Sequence, residues 1–496
     1  MPLQAFKKSQ LNQKGMTMPL DNASVRPKPD DALTSIADYT GKYEIINPDA
    51  WRMARYCVMD ALGCAVEALN FPDCTKLLGP VVPGMICPDG SRIPGTRYEL
   101  DPVRAAFNIG TMIRWLDFND CFPAANGGHP SDNLGGILAV ADYLSRTRVR
   151  AGKPPLLMRD VLEALIKSYE IQGVLSLDND FARLGCDYLP FPKVAATAVI
   201  TRMLGGSHEE IVNAVSNAWA DGISLNVYRQ GSNTGSRKSW AGGETTSRAV
   251  ALGLMAMKGE MGYPAVLSAR NCGFYDALFE GKPFRFQRPF GSYVMENIMF
   301  KLVPSASLAQ SAVECAFKLH AAVKDRVAKI ASITIRCHDK LIESMDKKGA
   351  LTNPADRDHC AQYVVAIGLI HGKLGTMDFD EEFAADPRID HLRALMTVTE
   401  EPRYTADRRD PAKRSNANAL EIRFRDGSCL PKVEVEYPWG HPRCRAEGIP
   451  MLEAKFSKHL ARRFPHKQQS AIIDSFADQG RFEATPVNEF LSRFVI

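Results

Sequence analysis

No two of the twelve cysteines form a Cys-x-x-Cys pair; they are scattered from Cys57 to Cys444. That scatter excludes zinc-finger and ferredoxin-type ligand sets. In a chain this long with no secretory signal it also argues against a disulfide framework, so free thiols in a reducing compartment are expected. Long apolar runs are missing too, and none approaches the roughly 18 residues of a membrane span. Charge of one sign is scarce. A net charge of +4 over 496 residues gives no bulk attraction to nucleic acid or to a membrane surface. Internal repeats, low-complexity blocks and the G-x-x-x-x-G-K-[ST] order of a phosphate loop are all absent.

What is present is the material of a large globular protein. Hydrophobic residues make up 45% and charged residues 24%, enough for a sizeable core, and the length implies more than one domain. Residues 1–30 are polar, contain Pro27 and Pro29, and read as a disordered tail. Lys7, Lys8 and Lys14 precede the first acid, Asp21, but early arginines and an amphipathic face are lacking. The cytoplasm is therefore the expected compartment, with a mitochondrial address as the alternative.

From Trp51 the texture is Ala-rich and helical, over Ala54–Leu69 and Val103–Leu116. Ser207 and Glu210 form a capping-box pattern, and Thr245–Lys258 carries a helical apolar face. Nothing before residue 300 alternates as a long strand would. After Pro304 the pattern changes. Ile330–Ile335, Leu420–Phe424 and Val433–Tyr437 alternate, and Asp426-Gly427 supplies a hairpin turn. The expected fold is mostly α: a helical domain over 31–300, a smaller α+β lid over 301–445, and C-terminal helices over 446–496 packing back on the first domain.

Three segments carry chemistry. In Arg114–Asp120 a helix ends in carboxylates, and Gly128–Gly136 opens the next helix with a His-Pro step. His129 there can exchange protons near neutral pH; the plainer alternative is a satisfied loop histidine beside capping aspartates. Tyr228–Gly243 gathers Arg229, Arg237 and Lys238 among glycines and hydroxyls, a composition that suits carboxylates. A solvated basic loop is the alternative. Asn353–His359 either lines a cleft between domains or is a surface ion-pair cluster.

These strings, with Phe286–Asn297 and Lys347-Lys348-Gly349, resemble the 2-methylcitrate dehydratases of the MmgE/PrpD superfamily, from about residue 35 to Ile496. The superfamily also includes the cis-aconitate decarboxylases. The resemblance implies a lyase that dehydrates a 2-methylcitrate-like or longer 2-alkylcitrate. It implies no cofactor, metal or iron–sulfur cluster, a tricarboxylic acid as ligand, and a homodimer. By position, Asp117, His129 and Lys238 match the family's active site. Cys121 stands where the family usually has Thr. Tyr188, Gln230 and Leu308 stand where dehydratases typically carry histidine. The expected catalytic set is Asp117, His129, Lys238 and Tyr188. The expected substrate-binding set is Arg229, Arg237, Ser236, Asn119, Cys121, Gln230 and Leu308. A cis-aconitate-type decarboxylase and a non-catalytic tricarboxylate-binding paralogue are the competing readings.

Overall fold

A computed structural model describes residues 25–496. Most of the expected tail, residues 1–24, lies outside the described residues. Residues 25–30 are extended but tied down: Arg26 donates to the Gly262 carbonyl, and Asp30 accepts from the Leu267 N–H at 2.8 Å.

The first 300 residues are helical. The long helices are α1 (Asp31–Lys42), α2 (Pro48–Ala68), α3 (Pro102–Arg114), α4 (Leu134–Arg150), α5 (Met158–Asp178), α6 (Pro190–Met203), α7 (His208–Ala220) and α8 (Arg237–Ala256). Local chemistry starts several of them. Asn47 caps α2 just before Pro48, and Asp101 caps α3 before Pro102. The expected capping box opens α7: Ser207 Oγ accepts from the Glu210 N–H at 3.3 Å, and Glu210 accepts from the Ser207 N–H at 2.7 Å. The only strands among the described residues of this region are the paired Ser91–Arg92 and Glu99–Leu100.

Helices α3 and α8 cross at glycines. A Cβ on Gly110 would lie 2.8 Å from the Gly243 Cα. Bare backbone there lets the two helices that carry the flanks of the site come together.

After residue 300 a four-stranded sheet appears: β1 (Ile330–Cys337), β2 (Met396–Glu400), β3 (Asn418–Phe424) and β4 (Val433–Val435), in the order β2-β1-β3-β4. β1 runs parallel to β2 and antiparallel to β3, and β4 closes the hairpin on β3. Gly427 turns that hairpin at φ 86°. Along β1, Ile330, Ile333, Ile335 and Cys337 are buried, as the alternation requires. Helix α9 (Gln310–Val323) packs on β3 and β4 and against α10 (Ala361–His371).

Two hydrophobic cores result. One is built from residues between Ala32 and Phe300 and completed by Leu452, Phe456, Leu460, Phe490 and Phe494 from the C-terminal helices, beginning with α11 (Arg445–Ala461). The other runs from Val303 to Val435. No helix is long and apolar enough to cross a membrane among the described residues. Where the chain passes between the cores, the Phe300 N–H donates to the Gly440 carbonyl at 3.0 Å.

Candidate active site

The end of α3, the loop after it, the start of α8 and the segment before α10 meet where the two cores face each other. Asp117 sits at their centre. Its backbone is in the left-handed region at φ 48°, a strained state for any residue but glycine that Asp tolerates better than most. The residue is 1% exposed, and its carboxylate is surrounded by cations. Oδ1 lies 2.6 Å from Arg114 Nη1, 2.5 Å from Lys301 Nζ and 3.5 Å from His129 Nε2. Oδ2 lies 3.3 Å from His359 Nε2 and 3.7 Å from Lys238 Nζ. Burial alone would raise its pKa, but Arg114, Lys301 and Lys238 outweigh that and hold it well below the carboxylate range.

Lys238 and His359 join the two sides. Lys238 Nζ donates to both Asp358 oxygens at 2.7 Å and lies 3.0 Å from His359 Nδ1. Burial lowers the Lys238 pKa against the opposing pull of Asp358 and Asp117. Asp117, Asp358 and His359 each offer a ligand atom within 4.8 Å of the others, a grouping with metal-site chemistry. The Lys238 ammonium occupies that centre by its contacts to both Asp358 oxygens and to the His359 ring.

His129 is fixed from behind. Its Nδ1 lies 2.7 Å from the Asp120 carbonyl, so Nδ1 carries the hydrogen and Nε2 presents a lone pair. Burial, then the charges of Arg114 and Lys301, push its pKa well below 6.5, so the ring is neutral near pH 7. Asp120 in turn accepts from Ser131 Oγ and Tyr169 OH at 2.7 Å each, and burial raises its pKa to about 6. Lys455 on α11 anchors the other flank. Its Nζ donates to Asp60 at 2.6 Å, to the Phe118 carbonyl at 2.8 Å and to the Lys301 carbonyl at 3.0 Å. The C-terminal helix therefore holds the segments that carry Asp117 and Lys301.

The expected site residues divide. Asp117, His129 and Lys238 converge. Tyr188 stands beside them, its ring 6.0 Å from that of His129, with its hydroxyl donating to Asp132 at 2.6 Å. Burial, then Asp132, raises the Tyr188 pKa well above 10. Arg229 lies over the Tyr188 ring and pairs with Asp187 at 2.8 Å. Asn119 is buried and donates to Ser131 Oγ at 2.8 Å. Cys121 is buried in a backbone bridge with Met299, and burial pushes its thiol up to about 12. Leu308 is half-buried against the second core. Gln230 and Ser236 are exposed. Arg237 points away, paired with Glu244 at 2.7 Å and stacked on Trp240.

Arg114, Lys301, Asp358 and His359 complete the cluster. Asp358 and His359 belong to the Asn353–His359 segment, which lines the cleft rather than forming a surface ion-pair cluster. Arg114 opens the Arg114–Asp120 segment, and Lys301 alone lies outside the segments read from sequence. A signal existed for Lys301, a lone charge within Ile298–Val303. A cavity of about 360 Å³ opens between the cores beside Asp358, lined by Trp115, Leu116, Ser236, Ser239, Pro304 and Phe379 among others. Asp117 itself is sealed behind it.

Comparison with known proteins supplies independent findings. The MmgE/PrpD N-terminal domain matches residues 34–287, and the MmgE/PrpD C-terminal domain matches residues 303–479. The chain is 57% identical over 475 residues to the 2-methylcitrate dehydratase of Cupriavidus necator, covering 95% of this chain and 98% of that one. It is 54% identical over 483 residues to the 2-methylcitrate dehydratase of Salmonella typhimurium, covering 97% and 100%. It is 51% identical over 460 residues to the mitochondrial 2-methylcitrate dehydratase of Yarrowia lipolytica, covering 91% and 88%.

Proposed function

The chain belongs to the MmgE/PrpD family, and from that premise we propose that it is a hydro-lyase that dehydrates 2-methylcitrate to the corresponding methyl-cis-aconitate. Relatives that carry this activity in their names span nearly the whole chain. The structural observation that supports the reading is the buried union of a neutral imidazole, a desolvated ammonium and further cations around Asp117. Elimination of water needs a base for the C–H proton beside a carboxylate, an acid for the departing hydroxyl, and cations for the charge that develops.

His129 Nε2 is the base in this proposal. Asp117 holds its position and stabilises the imidazolium that forms. Lys238, with a pKa lowered by burial, gives a proton to the hydroxyl and is reprotonated through His359. Lys301 and Arg114, paired with Asp117, keep the surroundings electropositive against the charge that develops. Tyr188 is assigned a wall role, because its hydrogen is committed to Asp132 and its raised pKa makes it a poor acid. Leu308 packs against the second core rather than widening a pocket, so methyl is the proposed substituent. We read the first core as a body and the second as a lid, with domain limits near residues 300 and 445. A homodimer is part of the proposal. A reducing compartment, the cytoplasm or a mitochondrial matrix, accords with twelve free cysteines.

Mass spectrometry of the purified protein with 2-methylcitrate, a long-chain alkylcitrate and cis-aconitate, with chelator present, tests this reading. Loss of water from 2-methylcitrate that survives chelation is expected. Carbon dioxide released from cis-aconitate would move the chain to the decarboxylases, and inertness toward all three would make it a binding paralogue.

A further inference from the structure

The cations that the sequence and the central cluster supply are nearly all matched. Arg229 pairs with Asp187, Arg237 with Glu244, Lys238 with Asp358, and Arg114 and Lys301 with Asp117. A tricarboxylate brings three negative charges into this cleft, so a cation without a carboxylate partner is the feature to seek. Arg408 is such a residue. Among the described residues it makes no ion pair, and its one side-chain hydrogen bond is from Nη1 to the Asn416 carbonyl oxygen Oδ1 at 3.0 Å. Asp339, the acid nearest to it in charge, is held by Arg409.

Arg408 is placed by the lid against the body. It lies in the last turn of the helix Pro402–Arg409. Asn416, its partner, donates to the Ser307 carbonyl at 2.7 Å, next to Leu308. Arg414 in the same segment donates to the Pro123 carbonyl at 3.0 Å, so this part of the lid lies over the body loop that follows Asp120. The charge of Arg408 is felt at Cys121, and Cys121 in turn feels Lys301 and Asp117.

A second observation points to a ligand in the same corner. His338 is fully buried, and its Nε2 makes no close hydrogen bond; its polar neighbour there is the Asn416 side chain. Its Nδ1 accepts from the Leu341 N–H at 3.3 Å, so Nε2 carries the hydrogen. A buried donor left to a loose acceptor that Arg408 already engages is poorly satisfied, and a better acceptor would be favoured there. The His338 ring also feels the charge of Arg408 and interacts with the same Asn416 side chain that accepts from Arg408.

We propose that Arg408 and the Nε2–H of His338 form a carboxylate-binding corner of the active site, contributed by the lid. One carboxylate of the substrate takes the fork of Arg408 and the hydrogen of His338, on the side of the cleft bounded by Cys121, Ser307 and Leu308. A guanidinium is the group suited to two parallel bonds to a carboxylate. The corner gives the lid a direct hold on the ligand, so closing the lid and gripping the substrate become one event. This inference rests on the dehydratase reading for its ligand.

The test is calorimetric binding of tricarballylate, a tricarboxylate with no hydroxyl to lose, together with turnover of 2-methylcitrate. Wild type, Arg408→Gln, Arg408→Lys, His338→Asn and Arg409→Gln are compared. His338→Asn keeps an oxygen to cap Leu341 and removes the Nε2–H. Arg409→Gln is the control, because Arg409 is exposed and pairs with Asp339. Arg408→Gln is expected to weaken tricarballylate binding and raise KM on the order of 10- to 100-fold. Arg408→Lys falls between it and wild type, His338→Asn weakens binding roughly 5- to 10-fold, and Arg409→Gln matches wild type. Unchanged binding in a folded Arg408→Gln overturns the corner; if that variant does not fold, unchanged binding in His338→Asn overturns it. A wild type that binds tricarballylate but leaves 2-methylcitrate intact overturns the dehydratase reading, while the variant series still decides the corner. A wild type that does neither overturns both.

Discussion

At the scale of single residues, Asp117 decides the electrostatics. It is the one carboxylate shared by Arg114, Lys301, Lys238 and two histidines. Asp117→Asn would leave buried cations without their counter-charge, a situation that costs about 3–5 kcal/mol. Chemical denaturation should show a loss of that order, and activity should vanish with it. His129 is the opposite case. Its ring is neutral and makes one hydrogen bond, to a backbone carbonyl. His129→Ala is expected to lower kcat by about 10²–10⁴-fold while the melting temperature hardly moves. Because its pKa lies well below 6.5, the base stays unprotonated down through that pH. The kcat/KM profile should therefore show no acid limb centred at or above 6.5; finding one there would assign the base to another group.

Tyr188 completes the residue scale. With its O–H donated to Asp132 at 2.6 Å, Tyr188→Phe should cost less than about tenfold in kcat. A loss of a hundredfold or more, the size of a missing acid catalyst, would make Tyr188 the proton donor.

At the scale of elements, α9 carries a buried acid, Glu314, that ties the lid to the chain returning to the body. Its Oε1 accepts from the Trp439 N–H at 2.8 Å, one residue before Gly440. Burial raises the Glu314 pKa to about 8. A raised carboxyl pKa means the folded state keeps a proton that the unfolded state has lost. Between about pH 4.5 and 8, stability from this group therefore falls as pH rises. Glu314→Gln keeps the acceptor and removes the titration. It should stabilise the protein by about 4 kcal/mol at pH 8 and by almost nothing at pH 4.5, as thermal melts at the two pH values would show. Next to it, a Cβ on Gly440 would come 1.9 Å from the Phe300 carbonyl oxygen. The two strands of chain that connect body and lid cross there with no room for a side chain.

At the scale of the whole molecule, the site exists only because two cores face each other. Lys238 from the body meets Asp358 and His359 from the lid, and Lys347 of the lid reaches Thr234 at 3.2 Å. The cavity of about 360 Å³ beside Asp358 leads toward a cluster that is otherwise sealed. A tricarboxylate that binds between the cores should stabilise both together. Tricarballylate at about 100 times its Kd is expected to add roughly 2.7 kcal/mol to the folded state, seen as a single cooperative melt at higher temperature; two separate transitions would show that the ligand does not couple the cores.

Local signals carried much of the architecture. The Ser207–Glu210 box, the alternation of Ile330–Ile335 and the Asp426-Gly427 turn each act within a few residues, and each reappears in the structure. The mostly α character with a small sheet was legible for the same reason. Asp117, His129 and Lys238 were legible as a resemblance, because they lie in long ordered strings. Their mutual distances were not, because His129 and Lys238 lie 109 positions apart and are brought together by the packing of α8 on α3 and on the segment that follows His129. Arg229 and Arg237 look alike in sequence as neighbouring cations, yet one is turned inward to Asp187 and the other outward to Glu244. Asp358 and His359 were legible only as part of a segment that could line a cleft or form a surface cluster, and Lys301 and Arg408 sit in segments that say little alone. The sequence by itself determined helix starts, strand periodicity, turns and the family's motifs, since those are short-range chemistry. The tertiary structure alone decided which charges are paired, which are sealed from water and which are left for a ligand, since pairing and desolvation depend on contacts between residues far apart in the chain.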